Sequence, residues 1–221
     1  MGQLRNGVPL DLARQLREAT GITVAIETGT FRGASAVALA GLFDEVWTIE
    51  LSADLHRAAV ARHGADRRIH FLQGSSVDLL GQAASSTDRP ALYWLDGHWS
   101  GAETAGVEFE CPVLPEIDAI DASRYGADAC ILIDDAHLFL GPPPPPHRHE
   151  HWPTFMAVMD RLRLNHERFV TVLEDVIIAV PIHARSSVEA YWFGVMANGT
   201  NERPSRRLRI TTSLPRRGSQ R

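Results

Sequence analysis

The chain is predicted to fold as one α/β domain built on a doubly wound, mostly parallel sheet of seven strands with helices on both faces. Three observations predict this. Short β-branched runs alternate with helical windows through the first half of the chain, the cadence of a parallel sheet covered on both sides. Two glycines, Gly29 and Gly33, stand where the first strand should turn into a helix. Acidic and hydroxyl residues recur at the ends of the strand runs, the rim at which such sheets bind ligands.

Taken in order, an amphipathic helix over 8–20 precedes the first strand, Thr23–Glu27. Strands follow at Glu45–Glu50, Ile69–Gln73, Ala91–Asp96, Ala129–Asp134, Phe169–Glu174 and Val176–Val180. Helical windows lie between the early ones, at Gly33–Ala40, Ala53–Arg62 and Val77–Ala84. A long loop runs from Gly97 to Pro112, and Pro112 then opens a helix near its first turn. Segment 141–152 carries the prolines 142–146 and then His147, His149 and His151. Consecutive prolines lack amide donors and favour a stiff polyproline spacer, read here as a wall or lid of the pocket. Residues 1–198 form the expected domain, and 199–221 a basic, mobile tail.

With 221 residues, 44% of them hydrophobic and 22% charged, the chain can bury one ordinary core. A net charge of -5 gives nucleic acid no electrostatic footprint, so a small-molecule substrate is the expected partner; a homo-oligomer is compatible with the pattern. All 22 basic residues are arginine, which excludes Schiff-base chemistry and a lysine general base. Two cysteines are too few for a disulfide framework, and no run approaches the ~20 apolar residues of a membrane span, so a cytoplasmic protein is expected.

Glu27, Gly29, Thr30 and Gly33 define the candidate cofactor loop. Gly29 permits a tight turn and close backbone approach, while Gly33 lets the helix start pack against the sheet. Glu50 ends the next strand, where a carboxylate can accept both hydroxyls of a ribose. Ser75 and Ser76 end the third, where small polar groups would face an adenine edge. The bland alternatives are a tight βα turn and a solvated strand-end carboxylate.

The order Glu27-x-Gly29-x-x-x-Gly33, Glu50, Ser75-Ser76 and Asp96 resembles a Rossmann-like class I S-adenosylmethionine-dependent methyltransferase over residues 20–180. The segment Thr28 to Ser35 is closest to the macrocin-type O-methyltransferases, with catechol-type enzymes as further relatives. The resemblance implies S-adenosylmethionine as cofactor, with the Glu27 carboxylate near its amino group and Glu50 on its ribose. Phe31 departs from the pattern, standing where many such enzymes have glycine. Phe31 and Ala34 also disfavour the Gly-x-Gly-x-x-Gly fingerprint of a nicotinamide-dependent oxidoreductase.

Asp96 and the pair Asp134-Asp135 end neighbouring strands, and so much negative charge in one cleft calls for a cation or for raised pKa values. The resemblance implies that Asp96, Asp134 and Asp135 ligate Mg²⁺, which would chelate the acceptor and lower its hydroxyl pKa. In the alternative, Asp134 caps the following turn and Asp96 contacts the cofactor or a histidine. Without lysine, the base candidates are Asp96, His98 and His137, the two histidines each two residues beyond an aspartate. The expected activity is O-methylation of a hydroxylated natural product or sugar-like acceptor. A cofactor-binding protein without turnover is the alternative.

Overall fold

The computed structural model describes residues 7–99, 101 and 106–201. Helices α1 (Leu10–Thr20), α2 (Ala34–Ala40), α3 (Ala53–His63) and α4 (Ser76–Ser86) alternate with strands β1 (Val24–Thr28), β2 (Glu45–Glu50), β3 (Ile69–Gln73) and β4 (Ala91–Leu95). Then come α5 (Val113–Asp121), β5 (Cys130–Ile133), α6 (His137–Leu140), α7 (Phe155–Leu164), β6 (Arg168–Leu173), β7 (Val176–Pro181) and α8 (Arg185–Asn201). All seven predicted strands are present, with ends shifted by a residue at most of their termini.

The strands form one sheet in the order β3-β2-β1-β4-β5-β7-β6. Strands β1 to β5 pair in parallel, and β7 runs antiparallel between β5 and β6. From β1 the chain winds outward through β2 and β3, then returns to place β4 on the other side of β1. The strand order therefore reverses between β1 and β4, and the crevice for a ligand opens beyond their carboxyl ends.

Period-2 alternation divides the core into two layers. Ile26, Tyr93 and Ile131 point to the layer formed with Ile117 and Ile120 of α5 and Val158 and Leu162 of α7. Ala25, Leu92, Trp94 and Leu132 point to the opposite layer, with Leu12 and Leu16 of α1, Leu39 of α2 and Val188 of α8. Strands β1, β4 and β5 are buried at every position, as central parallel strands are.

Helix α8 was not apparent in the sequence; it runs to Asn201, past the expected start of the tail at 199, and packs against α1. Residues 202–221 lie outside the described residues. The β6–β7 hairpin turns on Glu174 and Asp175, both at positive φ (48° and 71°), between the paired Leu173 and Val176. Two left-handed residues match the twist of a two-residue hairpin turn, and here they carry Asp175 to the same rim as the β5 end. No described helix is long and apolar enough to cross a membrane.

Candidate active site

The loop after β1 is held against β2 by its backbone. The N–H groups of Gly29 and Thr30 both donate to Ile49 O, at 2.9 and 3.3 Å. Gly29 sits at φ 85°, and a Cβ there would lie 2.1 Å from Asp96 O, so the close approach of the β4 end demands glycine. Gly33 has a different neighbour from the expected one: its Cβ would meet the His63 ring of α3 at 2.8 Å, so the missing side chain admits a helix and not the sheet. Phe31 occupies the left-handed region at φ 47°. That turn directs its N–H to Glu50 Oε2 at 2.8 Å, while Ser52 N–H donates to Glu50 Oε1 at 2.9 Å. Glu50, 5% exposed, thus clamps the loops after β1 and β2 together with charge-assisted bonds.

Glu27 is wholly buried behind this loop. Thr48, its register partner on β2, donates to Glu27 Oε2 at 2.6 Å, and Thr30 Oγ1 lies 2.5 Å from Thr48 Oγ1. Because Thr48 gives its one proton to the carboxylate, Thr30 must donate to Thr48. The Thr30 side chain is therefore committed to the sheet, away from the cavity. Glu27 Oε1 has no hydrogen-bond partner. Burial pushes the Glu27 carboxyl up to about 8, against the opposing pull of the Ser35 and Thr48 hydroxyls and with the help of Asp96 and Glu50.

A cavity of about 840 Å³ opens at the rim, within the range of small-molecule sites. Gly29, Phe31, Glu50, Ser75 and Ser76 line it together with Asp96, Gly97 and His98. Leu51, Val107 and Phe109, each about half exposed, form an apolar lip. Of the residues expected to hold a cofactor, Gly29, Glu50, Ser75, Ser76 and Asp96 line this space, whereas Glu27, Thr30 and Gly33 stand behind it. The residues fit an adenosine cofactor with a cationic end: Glu50 and the serines offer polar groups to the sugar and base, and the carboxyls of Asp96 and, behind the loop, Glu27 are the acidic groups beside the same space.

The acidic rim has a different plan from the expected one. His98, 7% exposed, reaches between the strand ends. Its Nε2 lies 2.9 Å from Asp135 Oδ2, and its Nδ1 3.9 Å from Asp96 Oδ1. Burial alone would depress the imidazole, but the Asp135 hydrogen bond and the charges of Asp96, Asp135 and Asp134 outweigh it and raise the pKa. Asp96 is pushed up to about 7, chiefly by burial, with His98 opposing. Asp134 is pushed up to about 6, again by burial; its Oδ1 accepts the Asp135 N–H at 2.9 Å, a local turn bond. Asp135 is held below the usual carboxylate range by the His98 bond.

His137 does not line the cavity. Its Nδ1 pairs with Asp175 Oδ2 at 2.7 Å, and its backbone N–H donates to Asp175 Oδ1 at 2.8 Å. Among the described residues, Asp135, His137 and Asp175 are the set of three whose metal-ligating atoms all fall within 4.8 Å of one another; Asp96, Asp134 and Asp135 are not such a set. Magnesium holds its ligand oxygens at ~2.1 Å, which keeps any two of them within ~4.2 Å. The three strand-end aspartates as placed here do not fit that ion.

Sequence reasoning missed three carboxylates. Glu116 of α5, 1% exposed, packs behind Gly97, with the Thr28 and Ser76 hydroxyls facing it and its Oε1 without a hydrogen-bond partner. Burial raises its pKa. Glu110, also 1% exposed, anchors the proline segment: it accepts from Trp152 Nε1 at 2.8 Å, from Arg148 N at 3.1 Å, and pairs with His147 Nδ1 at 3.2 Å. His147 is therefore packed between Trp99 and Trp152, and Trp152 in turn meets the edge of His98 with ring centroids 5.5 Å apart. The segment, expected as a wall or lid of the pocket, reaches the site through Trp152 against His98, and none of residues 141–152 is among those lining the cavity. Asp175 is the third. Residues 100 and 102–105, part of the loop expected to touch the acceptor, lie outside the described residues.

No family model matches the chain, and no curated protein matches its sequence. Solved structures do resemble it. The S-adenosylhomocysteine-bound methyltransferase PaMTH1 of Podospora anserina superposes with a TM-score of 0.55 at 16% identity, over 77% of this chain and 75% of that one. The O-methyltransferase from Bacillus cereus, in complex with S-adenosylhomocysteine, gives 0.53 at 18% identity, over 79% and 82%. TomG of Streptomyces achromogenes, an O-methyltransferase involved in tomaymycin synthesis and solved with S-adenosylmethionine, gives 0.50 at 21%, over 80% and 82%. At these identities the likeness is one of architecture: the chain has the single-domain, seven-stranded fold of the S-adenosylmethionine-dependent O-methyltransferases.

Proposed function

We propose that the chain is an S-adenosylmethionine-dependent methyltransferase that methylates an oxygen of a hydroxylated small molecule. The observation that carries this reading is the one continuous cavity that joins Glu50, Ser75 and Ser76 to Asp96 and His98. Glu50 and the two serines offer the polar groups an adenosine requires, and Asp96 with His98 an acid–base pair beside them. The bound cofactor supplies an electrophilic methyl on a cationic sulfonium.

Everything else falls to the chain. Glu50 holds the ribose while its own geometry is fixed by the N–H groups of Phe31 and Ser52. Glu27, behind the loop, accepts from Thr48, which fixes Thr30, and its buried carboxyl would favour the cationic end of the cofactor from there. Asp96 faces the cavity with a pKa near 7, so at neutral pH a substantial fraction is ionised and competent to take the acceptor proton. His98 lies beside that carboxylate, with its Nε2 bonded to Asp135. His137 is turned to Asp175 and takes no part. Proximity and alignment supply most of the rate in such an in-line displacement.

Isothermal titration calorimetry with S-adenosylmethionine and S-adenosylhomocysteine tests the reading. Micromolar binding of both is expected, weakened by Glu50→Ala at least tenfold. Absence of heat with both ligands overturns it.

A further inference from the structure

The acidic rim holds a built-in side chain where the residue pattern suggested a metal. His98 enters from the β4 end and stands between Asp96 and Asp135, with Nδ1 3.9 Å from one carboxylate and Nε2 2.9 Å from the other. It is 7% exposed, and Trp152 closes over it edge-on. Trp152 is itself fixed by its Nε1–H bond to the buried Glu110. The ring is thus wedged among the strand ends, and Asp134 uses an oxygen on the Asp135 N–H. The remaining pair of the rim, His137 and Asp175, is closed on itself by two hydrogen bonds of 2.7 and 2.8 Å.

We propose that the His98 ring fills the place of a divalent cation in this rim and takes over its ordering role, tying Asp135 to Asp96 so that methyl transfer proceeds without a bound metal. The inference rests on the methyltransferase reading for its consequence, but its structural content is separate. Imidazole and a hydrated divalent ion compete for the same negatively charged space, and a covalently attached ring needs no recruitment from solution. The ring hydrogen-bonds Asp135 through Nε2 and stands at ion-pair distance, 3.9 Å, from Asp96 through Nδ1, where an ion would draw all three carboxylates into one shell.

The test uses Mn²⁺ as probe. Wild-type chain titrated with Mn²⁺, followed by calorimetry and by the electron paramagnetic resonance of free Mn²⁺, is expected to show no stoichiometric binding up to millimolar metal. His98→Ala is expected to gain one Mn²⁺ per chain at least tenfold more tightly, and His98→Ala/Asp135→Asn to lose it again. Stoichiometric binding by the wild type overturns the proposal, whether Asp96→Asn abolishes it or Asp175→Asn does, the latter placing the ion at Asp135, His137 and Asp175. Failure of His98→Ala to gain metal overturns it as well. Should that variant not fold, Mn²⁺-induced paramagnetic broadening of the wild-type His98 ring signals decides: none is expected up to millimolar metal, and selective broadening contradicts the assignment. S-adenosylhomocysteine binding measured on the same metal-free wild type reports on the cofactor reading alone, so the two can fail independently.

Discussion

The Phe31 amide donates to Glu50 Oε2 at 2.8 Å across the tips of β1 and β2. Phe31 can do so only because its backbone is left-handed, at φ 47°, which is costly for an aromatic residue. The residue that departs from the usual glycine-rich pattern is therefore held by the carboxylate that faces the ribose end of the cavity. Glu50→Ala should both loosen the loop and remove a ligand contact. A stability loss of about 2–3 kcal/mol is expected from two charge-assisted bonds to a buried carboxylate, read by urea denaturation. Glu50→Gln keeps one acceptor oxygen and should fall between wild type and alanine.

Glu27 makes stability depend on pH in a defined direction. Its folded pKa of about 8 lies above the ordinary value of 4.5, so the folded state keeps a proton that the unfolded chain releases. Stability from this group is complete below pH 4.5 and is lost as pH rises through 8, by on the order of 4 kcal/mol for a fully buried carboxyl. Asp96 contributes with the same sign at lower pH, reduced by its partial exposure. In thermal melts without ligand, the wild type should therefore weaken from pH 5 to pH 9. Glu27→Gln should show a visibly flatter profile. Equal slopes for the two proteins contradict the assignment.

Two glycines separate close approach from mere freedom. Gly29→Ala sets a Cβ against Asp96 O at 2.1 Å on a backbone at φ 85°, and should cost about 3 kcal/mol or more and abolish ligand binding. Gly81 lies inside α4 with open space around its Cβ position, so Gly81→Ala should stabilise by about 0.5–1 kcal/mol. Chemical denaturation of both variants checks the pair, and a neutral Gly29→Ala contradicts the packing described for the loop.

Glu110 holds the proline segment by three different donors. In Glu110→Gln one oxygen becomes a donor facing other donors, so the segment should detach. Faster proteolysis within 141–152 and a red-shifted tryptophan emission are expected, with S-adenosylhomocysteine affinity within about twofold of wild type. Unchanged emission and cleavage contradict the anchoring role.

The sheet was legible because its central strands are uninterrupted apolar runs whose carboxyl ends carry polar residues. Gly29, Glu50 and Asp96 were legible for the same reason: each is fixed by its position at a strand end. Thr30 was expected to face the ligand, and its inward turn follows from a register pairing, Glu27 with Thr48, that only the folded sheet reveals. Glu110, Glu116 and Asp175 escaped notice because their partners are remote: Glu110 meets Trp152 42 residues on, and Asp175 meets His137 across 38. Charge pattern places carboxylates on a rim, whereas the ring that separates them, His98, is known only from its distances to Asp96 and Asp135.

The central claim is that Glu50 and Glu27 organise a site for an adenosyl sulfonium cofactor, and its most direct measurement is a calorimetric titration of S-adenosylhomocysteine into the wild type, Glu50→Ala and Glu27→Gln. One ligand per chain with micromolar affinity in the wild type and at least tenfold weaker binding in both variants is the expected result. No binding to the wild type, or binding that both substitutions leave unchanged, contradicts it.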